Sequence, residues 1–392
     1  MGQSLRIIYP VSEGFDSGKA RFHQIFQTAH ALARQGCEVD LLIGKNRVDI
    51  VSEVFPYYGL EEQENLRVHC LPLLRREGRQ RIRLSWNAVF HFFCLLKIRG
   101  LLRQRLYQAI FLRHLNLADF LIHCKKFLPL PLVFESHEIF HLTTERKEKE
   151  EKIRSQETWI YPRLDGLVAI TRSLAEQLRE IFQIQAPIEV IPDGVNLSFF
   201  RPTHGRSDTK KIVYIGQLYS WKGVETLVQA IKYLDEGELH LVGGGDKQVQ
   251  KMSQIALQMG VGARVFFHGQ VSPRQVKEHL ADAAVAVLPL TRDMISAHFT
   301  SPLKLFEYMA FRVPVVASDL PSIREILTHE VNAILVPPDN PEALARGIQR
   351  LLTDREMANR LAGKAHEDVL SYSWDRRAER LIHFLGRVAS EC

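Results

Sequence analysis

The amino-acid sequence predicts an α/β protein built of two Rossmann-like, doubly wound domains with a cleft between them. Three observations carry this. The chain has 392 residues, more than one hydrophobic core usually organises. Short continuous apolar runs alternate with segments long enough for crossover helices, the pattern of parallel strands buried on both faces. The plan then restarts after residue 195. In the first half, residues 5–11 form a buried strand and a glycine-bearing loop follows. Phe22, Ile25, Phe26, Ala29 and Leu32 then recur at helical spacing, and Gly36 stops that helix before a strand at 39–43. Strand runs return at 109–112, 132–135, 167–170 and 188–191. The turn-rich segment from Pro192 to Asn196 breaks the pattern and suits a hinge. Beyond it, strands at 212–215, 239–242, 265–267, 284–288, 313–316 and 333–336 alternate with helices at 224–234, 248–259, 301–311 and 341–352. Ligands of such sheets bind beyond the carboxyl ends of the strands.

Composition excludes other classes. With 46% hydrophobic and 24% charged residues the chain is neither disordered nor collagenous. Its five cysteines are scattered without a C-x-x-C pair, which points to reduced thiols and a cytoplasmic protein. The N-terminus has no leader pattern, and the longest apolar stretch, 88–96, is too short to span a bilayer. The net charge of +6 is unevenly spread: residues 75–105 hold nine basic side chains against one acid, Glu77, so the remainder is slightly acidic.

Residues 300–310 carry the most chemistry. Ser301 suits an N-cap and Pro302, which has no N–H to leave unpaired, a first helical position, so the free amides of Ser301, Leu303 and Lys304 form an anion site at a helix start. Lys304 opposes the helix dipole there and is better tolerated with an anion bound. Glu307 lies too far along to meet phosphates and suits sugar hydroxyls. The same segment also fits a capped core helix with a surface lysine. The strand-to-helix loop 216–223 has glycines at both ends and Lys222 near the helix, so Gly216, Gln217 and Lys222 can meet a diphosphate; a tight turn with a solvated lysine is its other reading. Residues 242–246 lack the last glycine of G-x-G-x-x-G and read as a packing turn. Residues 14–19 miss the phosphate-loop spacing and have Ala20 where Ser or Thr would bind magnesium. His137, ending a buried strand in Glu135-Ser136-His137-Glu138, is a candidate for donor contact or acid–base work, or for a structural hydrogen bond. The sequence shows no metal-ligand motif.

Taken in order, Phe134 to Glu138, Val190 to Asn196, Gly216 to Gly223, Val242 to Gly245, Ser301 to Ala310 and Val316 to Pro321 resemble a family-4 (GT4) glycosyltransferase of GT-B fold. The resemblance covers nearly the whole chain. It implies an acceptor-binding domain over 1–195, a nucleotide-sugar-binding domain over 196–371, and a tail helix, 372–392, returning to the first. It implies hexosyl transfer from a nucleoside-diphosphate sugar, with retention of configuration, no metal and no cofactor beyond the donor, a UDP-sugar being favoured. Lys222 matches the family's diphosphate lysine, Glu307 the second glutamate of E-x7-E, which holds the ribose, and His137 the histidine near the donor sugar. Gln270 and Val271 sit where backbone meets the base, and Gly18 falls in the first-domain glycine loop. Two positions depart from the pattern. Gln217 replaces an arginine partner of Lys222, a charge that Lys304 is placed to supply, and Phe299 replaces the first glutamate of E-x7-E.

The expected setting is envelope polysaccharide or glycolipid synthesis, with a glycan or lipid-linked acceptor. Trp86, Val89, Phe90, Phe93 and Leu96 at helical spacing between arginines make residues 75–106 a candidate for docking on the inner face of an anionic membrane, or else a packed core helix. No nucleic-acid motif accompanies the charge. Residues 145–152 read as a solvated helix face. A nucleotide-sugar epimerase and a catalytically silent sugar-nucleotide-binding subunit remain alternative readings.

Overall fold

A computed structural model describes residues 4–15, 20–45, 48–73, 86–202 and 209–391. The chain divides into one unit of Met1–Pro192 with Trp374–Cys392 and a second of Asp193–Ser373; the boundaries expected from sequence were 195 and 371.

The first unit is one parallel sheet of β1 (Arg6–Gly14), β2 (Glu38–Gly44), β3 (Leu66–Leu71), β4 (Ala109–Leu112), β5 (Leu132–Ser136), β6 (Gly166–Ala169) and β7 (Ile188–Val190), in the order β3-β2-β1-β4-β5-β6-β7. Its strands read as unbroken apolar runs because helices cover both faces: Ile7, Ile8, Tyr9 and Val11 of β1 and all of β4 are fully buried. The helix Ala20–Arg34 buries Phe22, Ile25, Phe26, Ala29 and Leu32, the stripe read from sequence, and Gly36 beyond it adopts φ 84°. Strand β3 escaped sequence reading for a physical reason. It is an edge strand in which Arg67 and His69 project toward Asp40 of β2 instead of an apolar core. The fully buried Asp40 accepts hydrogen bonds from Arg67 Nη2 at 2.8 Å and Tyr107 Oη at 2.7 Å, with His69 Nε2 at 2.6 Å.

The second unit holds β8 (Lys211–Ile215), β9 (Glu238–Val242), β10 (Val265–Gly269), β11 (Val285–Leu288), β12 (Val315–Ser318) and β13 (Ile334–Val336), in the order β10-β9-β8-β11-β12-β13, all pairs parallel. Alternate residues feed two cores. Ile212 and Tyr214 point to one, Val213 and Ile215 to the other. In both units the strand order reverses beside the first strand, between β1 and β4 and between β8 and β11. Loops diverge at such a switch point and leave room for a ligand.

The tail helix, Trp374–Glu391, belongs to the first unit. It buries Ala378, Leu381, Phe384, Leu385 and Val388, and a Cβ on Gly166 of β6 would lie 3.0 Å from Val388, so glycine there admits the helix. Arg377 on the same face is buried and pairs with the buried Glu135 of β5 while donating to the carbonyls of Ile191, at 2.9 Å, and Pro192, at 3.2 Å. Burial alone would raise the Glu135 carboxyl, but Arg377 beside it, with His137, holds it well below the usual carboxylate range.

Two sequence expectations change. Helix Trp86–Gln104 buries Phe90, Cys94, Ile98 and Leu101, whereas Phe93 and Leu96 of the expected stripe are exposed with Phe92. Most of the basic run, 75–83, lies outside the described residues. Residues 145–152 are a 3-10 turn at Lys147–Lys149 and then the start of helix Glu150–Ile160.

Glu135→Ala leaves the Arg377 guanidinium buried without its carboxylate and is expected to destabilise the first unit by about 3–5 kcal/mol in urea denaturation, the cost of stranding one member of a buried pair. An unchanged midpoint would show that the pair does not hold the tail.

Candidate active site

In the second unit the loop after β8 is shaped by backbone contact. Gly216 adopts φ 135° and Gly223 φ 68°; a Cβ on Gly223 would sit 1.7 Å from the carbonyl oxygen of Pro289, which follows β11. Gly243, after β9, has φ 121° and would place a Cβ 2.3 Å from the Gly216 carbonyl oxygen. The triple glycine is therefore a packing turn that lets three loops meet at the switch point. Hydroxyls tie the loop down: Thr291 and Ser296 both donate to the Trp221 carbonyl, at 3.0 and 2.9 Å. Gln217 contributes its backbone carbonyl, which accepts from the Tyr214 hydroxyl at 2.8 Å.

The helix Leu303–Ala310 begins beside this loop, with Pro302 as its cap. Ser301 is not the N-cap expected from sequence, because its hydroxyl accepts from the Asp193 amide at 2.9 Å. Pro302 offers no side-chain cap, so the amides of Leu303 and Lys304 open the helix without intrahelical acceptors. Lys304 turns back toward Gly216. A Cβ there would meet its Nζ at 2.7 Å, and that Nζ is buried, without a hydrogen-bond partner, 4.0 Å from the Tyr214 ring centroid. Burial, with the nearby Lys222 charge, pushes the Lys304 ammonium well below its ordinary value. Lys222 lies 3.7 Å from the Trp221 ring centroid and burial pushes it down to about 7. One turn into the helix, burial raises Glu307 to about 7 against the pull of Lys304. Two lysines and open helix amides converge beside a single carboxylate, Glu307, that burial pushes toward its protonated form, which is the chemistry of a site for a polyvalent anion.

Residues 198–368 match the family described as glycosyl transferases group 1, and residues 23–199 match glycosyltransferase family 4. The chain belongs to glycosyltransferase family 4. An uncharacterized glycosyltransferase of Methanocaldococcus jannaschii is 30% identical over 235 residues, 55% of this chain and 58% of that protein. A D-inositol 3-phosphate glycosyltransferase of Xylanimonas cellulosilytica is 29% identical over 238 residues, 56% of each. The chain thus spans little more than half the length of these curated relatives. Among solved structures, sucrose-phosphate synthase from Thermosynechococcus elongatus superposes with a TM-score of 0.79 at 21% identity, over 99% of this chain and 100% of that one. Anabaena HepE in complex with UDP-glucose gives 0.75 at 15% identity, over 98% and 100%. These likenesses show the GT-B fold.

The other residues singled out in the sequence are distributed over both units. Phe299 is fully buried at the end of helix Met294–His298, so the side chain that the resemblance aligns with the first E-x7-E glutamate faces the protein interior. Gln270 is exposed just past β10, and Val271 packs against the core beside it. Gly18 lies outside the described residues. In the first unit His137 Nε2 stands 3.2 Å from Glu135 Oε2. His137 and Glu138 line a pocket of about 380 Å³ with Ser12 and Glu13 at the end of β1 and Arg113 and His114 just after β4. Sequence reading missed these last four. Glu13 takes Arg21 Nη2 at 2.7 Å and faces His114 Nε2 at 3.2 Å. Their signal was position alone, at the ends of two strands that flank the switch point.

Glu307 predicts a pH signature. Between the ordinary carboxylate range and about 7 the unfolded chain has released this proton while the folded one retains it, so stability falls as pH rises through that window. Glu307→Gln removes this loss. Its melting temperature is expected to gain on the parent's as pH rises from about 4 to about 8; a constant offset would contradict the raised carboxyl.

Proposed function

We propose that the chain is a hexosyltransferase that moves a sugar from a nucleoside-diphosphate sugar, UDP-linked by preference, to a glycan or lipid-linked acceptor in cell-envelope polysaccharide or glycolipid synthesis, with retention of anomeric configuration and without a metal in the transfer step. The observation that carries it is the buried, partnerless Lys304 ammonium beside Lys222 and the opening amides of helix Leu303–Ala310. In transfer, the bond from the anomeric carbon to the diphosphate breaks and an acceptor hydroxyl oxygen bonds to that carbon. The hydroxyl proton leaves with the nucleoside diphosphate. Negative charge grows on the departing diphosphate, and fixed cations in a poorly solvated site stabilise it without reorganisation. Lys304 supplies the charge that Gln217 does not. Glu307 suits the ribose hydroxyls, the backbone of Gln270 and Val271 the base, and His137 the donor sugar, its ring set by the neighbouring Glu135. That Anabaena HepE was crystallised with UDP-glucose supports a UDP-sugar donor. The pocket holding His137, Arg113 and His114 suits the acceptor.

The membrane reading rests on an exposed patch. No helix among the described residues is long and apolar enough to cross a bilayer. Phe92, Phe93 and Leu96 are instead exposed along helix Trp86–Gln104, Arg99 lies 5.6 Å from the centroid of the exposed Phe127, and Lys126 lies 4.9 Å from it. Aromatic rings bracketed by cations suit the headgroup region of an anionic membrane.

Lys222→Met and Lys304→Met are each expected to weaken UDP binding about 10- to 100-fold by calorimetry, the worth of one charge-assisted contact. His137→Ala is expected to keep UDP affinity and lose turnover. A Lys304→Ala protein that binds UDP as tightly as the parent would remove the compensation idea. Failure to transfer or hydrolyse any sugar nucleotide it binds would favour a silent subunit, and isomerisation without an acceptor would favour an epimerase. On vesicles, the protein is expected to sediment with anionic lipid and to be released at about 0.5 M salt, where screening shortens to a few ångströms. Equal partition onto neutral vesicles would count against docking.

A further inference from the structure

Away from the anion site, three histidines of the second unit converge. His240 lies on β9, His268 on the edge strand β10, and His279 near the end of helix Pro273–Ala281. The pairing of Phe266 with His240 puts positions 240, 266 and 268 on one face of the sheet, while Leu239, Leu241, Val265 and Phe267 pack into the core on the other. The helix that follows β10 then brings His279 over that face, its ring centroid 4.3 Å from that of His268. One ring nitrogen from each histidine lies within 4.8 Å of the others, and His240 Nδ1 is 3.0 Å from His268 Nε2.

A hydrogen bond between two neutral imidazoles accounts for the 3.0 Å pair but not for the third nitrogen, which lies within 4.8 Å of both. A divalent ion accounts for all three. Nitrogens bound tetrahedrally at about 2.0–2.1 Å stand about 3.3 Å apart, close to the 3.0 Å of the His240–His268 pair and inside the 4.8 Å that bounds all three. The surrounding charge permits it. Lys211 of β8 is held by Asp282 at 2.6 Å, and Glu238 Oε2 faces His240 Nε2 at 3.7 Å. A carboxylate on that side favours the proton on Nε2 and leaves the Nδ1 lone pair pointing at the cluster.

We propose that His240, His268 and His279 form a site for a first-row divalent transition-metal ion of the zinc type, a staple that joins the edge strand β10 to β9 and to the helix after it. Imidazole is a preferred ligand of such ions, and three of them leave a fourth position for water. The site is independent of the donor-site reading. An edge strand is paired on one side only, so a cross-link to the next strand and to the following helix adds restraint where the sheet ends.

The full chain, stripped with a chelator and dialysed, is titrated with zinc chloride against a chromophoric chelator. One ion per chain is expected, bound at least about tenfold more weakly by His268→Ala and by His279→Ala. His268 is exposed, so its variant should fold, which circular dichroism checks; zinc is expected to raise the melting temperature of the parent and not of a folded variant. No uptake by the parent, or equal affinity in parent and His268→Ala, would overturn the site.

Discussion

The ion pair between Glu135 and Arg377 organises the first unit. A carboxylate at the end of a central parallel strand, with no water around it, costs several kcal/mol unless a cation and further donors reach it. Gln24 donates to it at 3.1 Å, but the charge is balanced by a guanidinium from the last helix of the chain. That guanidinium also satisfies the carbonyls of Ile191 and Pro192, where the chain leaves the unit, so one side chain closes the exit and secures the return. The same carboxylate stands beside His137. The guanidinium of the tail helix and the ring of a pocket residue thus meet at one carboxylate.

The second unit makes the opposite use of burial. Lys222 and Lys304 sit in a poorly solvated place with aromatic faces for company, and the one carboxylate in the group, Glu307, is itself pushed toward its protonated form. A cation over an aromatic ring gains about 0.5–2 kcal/mol, less than desolvating an ammonium costs. The proposed function resolves the imbalance, because the anion of the donor would balance both lysines. Paired charge in one unit and unpaired charge in the other therefore separate a structural network from a ligand site, by the same physical rule.

What could be read from the sequence follows from this division. Strands buried on both faces announce themselves as apolar runs, and both sheets were legible except for β3, whose inward residues are Arg67 and His69 because Asp40 needs them. Lys222, Lys304 and Glu307 were legible as chemistry near a strand-to-helix turn. The role of Ser301 was not, since the Asp193 amide competes for its hydroxyl across a long sequence separation. The exposed side of helix Trp86–Gln104 was misread because its apolar residues run nearly all the way round, so periodicity could not say which stripe the core would take. The three histidines share no motif, since strand register and a crossover helix bring them together.

Glycine explains why the anion site is a feature of the backbone first. Gly223 meets the Pro289 carbonyl and Gly243 meets that of Gly216, so the loops after β8, β9 and β11 touch main chain to main chain. A methyl group at either glycine would separate two loops and carry Lys222 with them. Lys304 fills the space above Gly216 that a side chain there would take, which fixes its ammonium near the Tyr214 face and next to the loop bearing Lys222. The two charges are therefore set by how closely three backbones approach, and the long flexible stems of the lysines need only span what that packing leaves open.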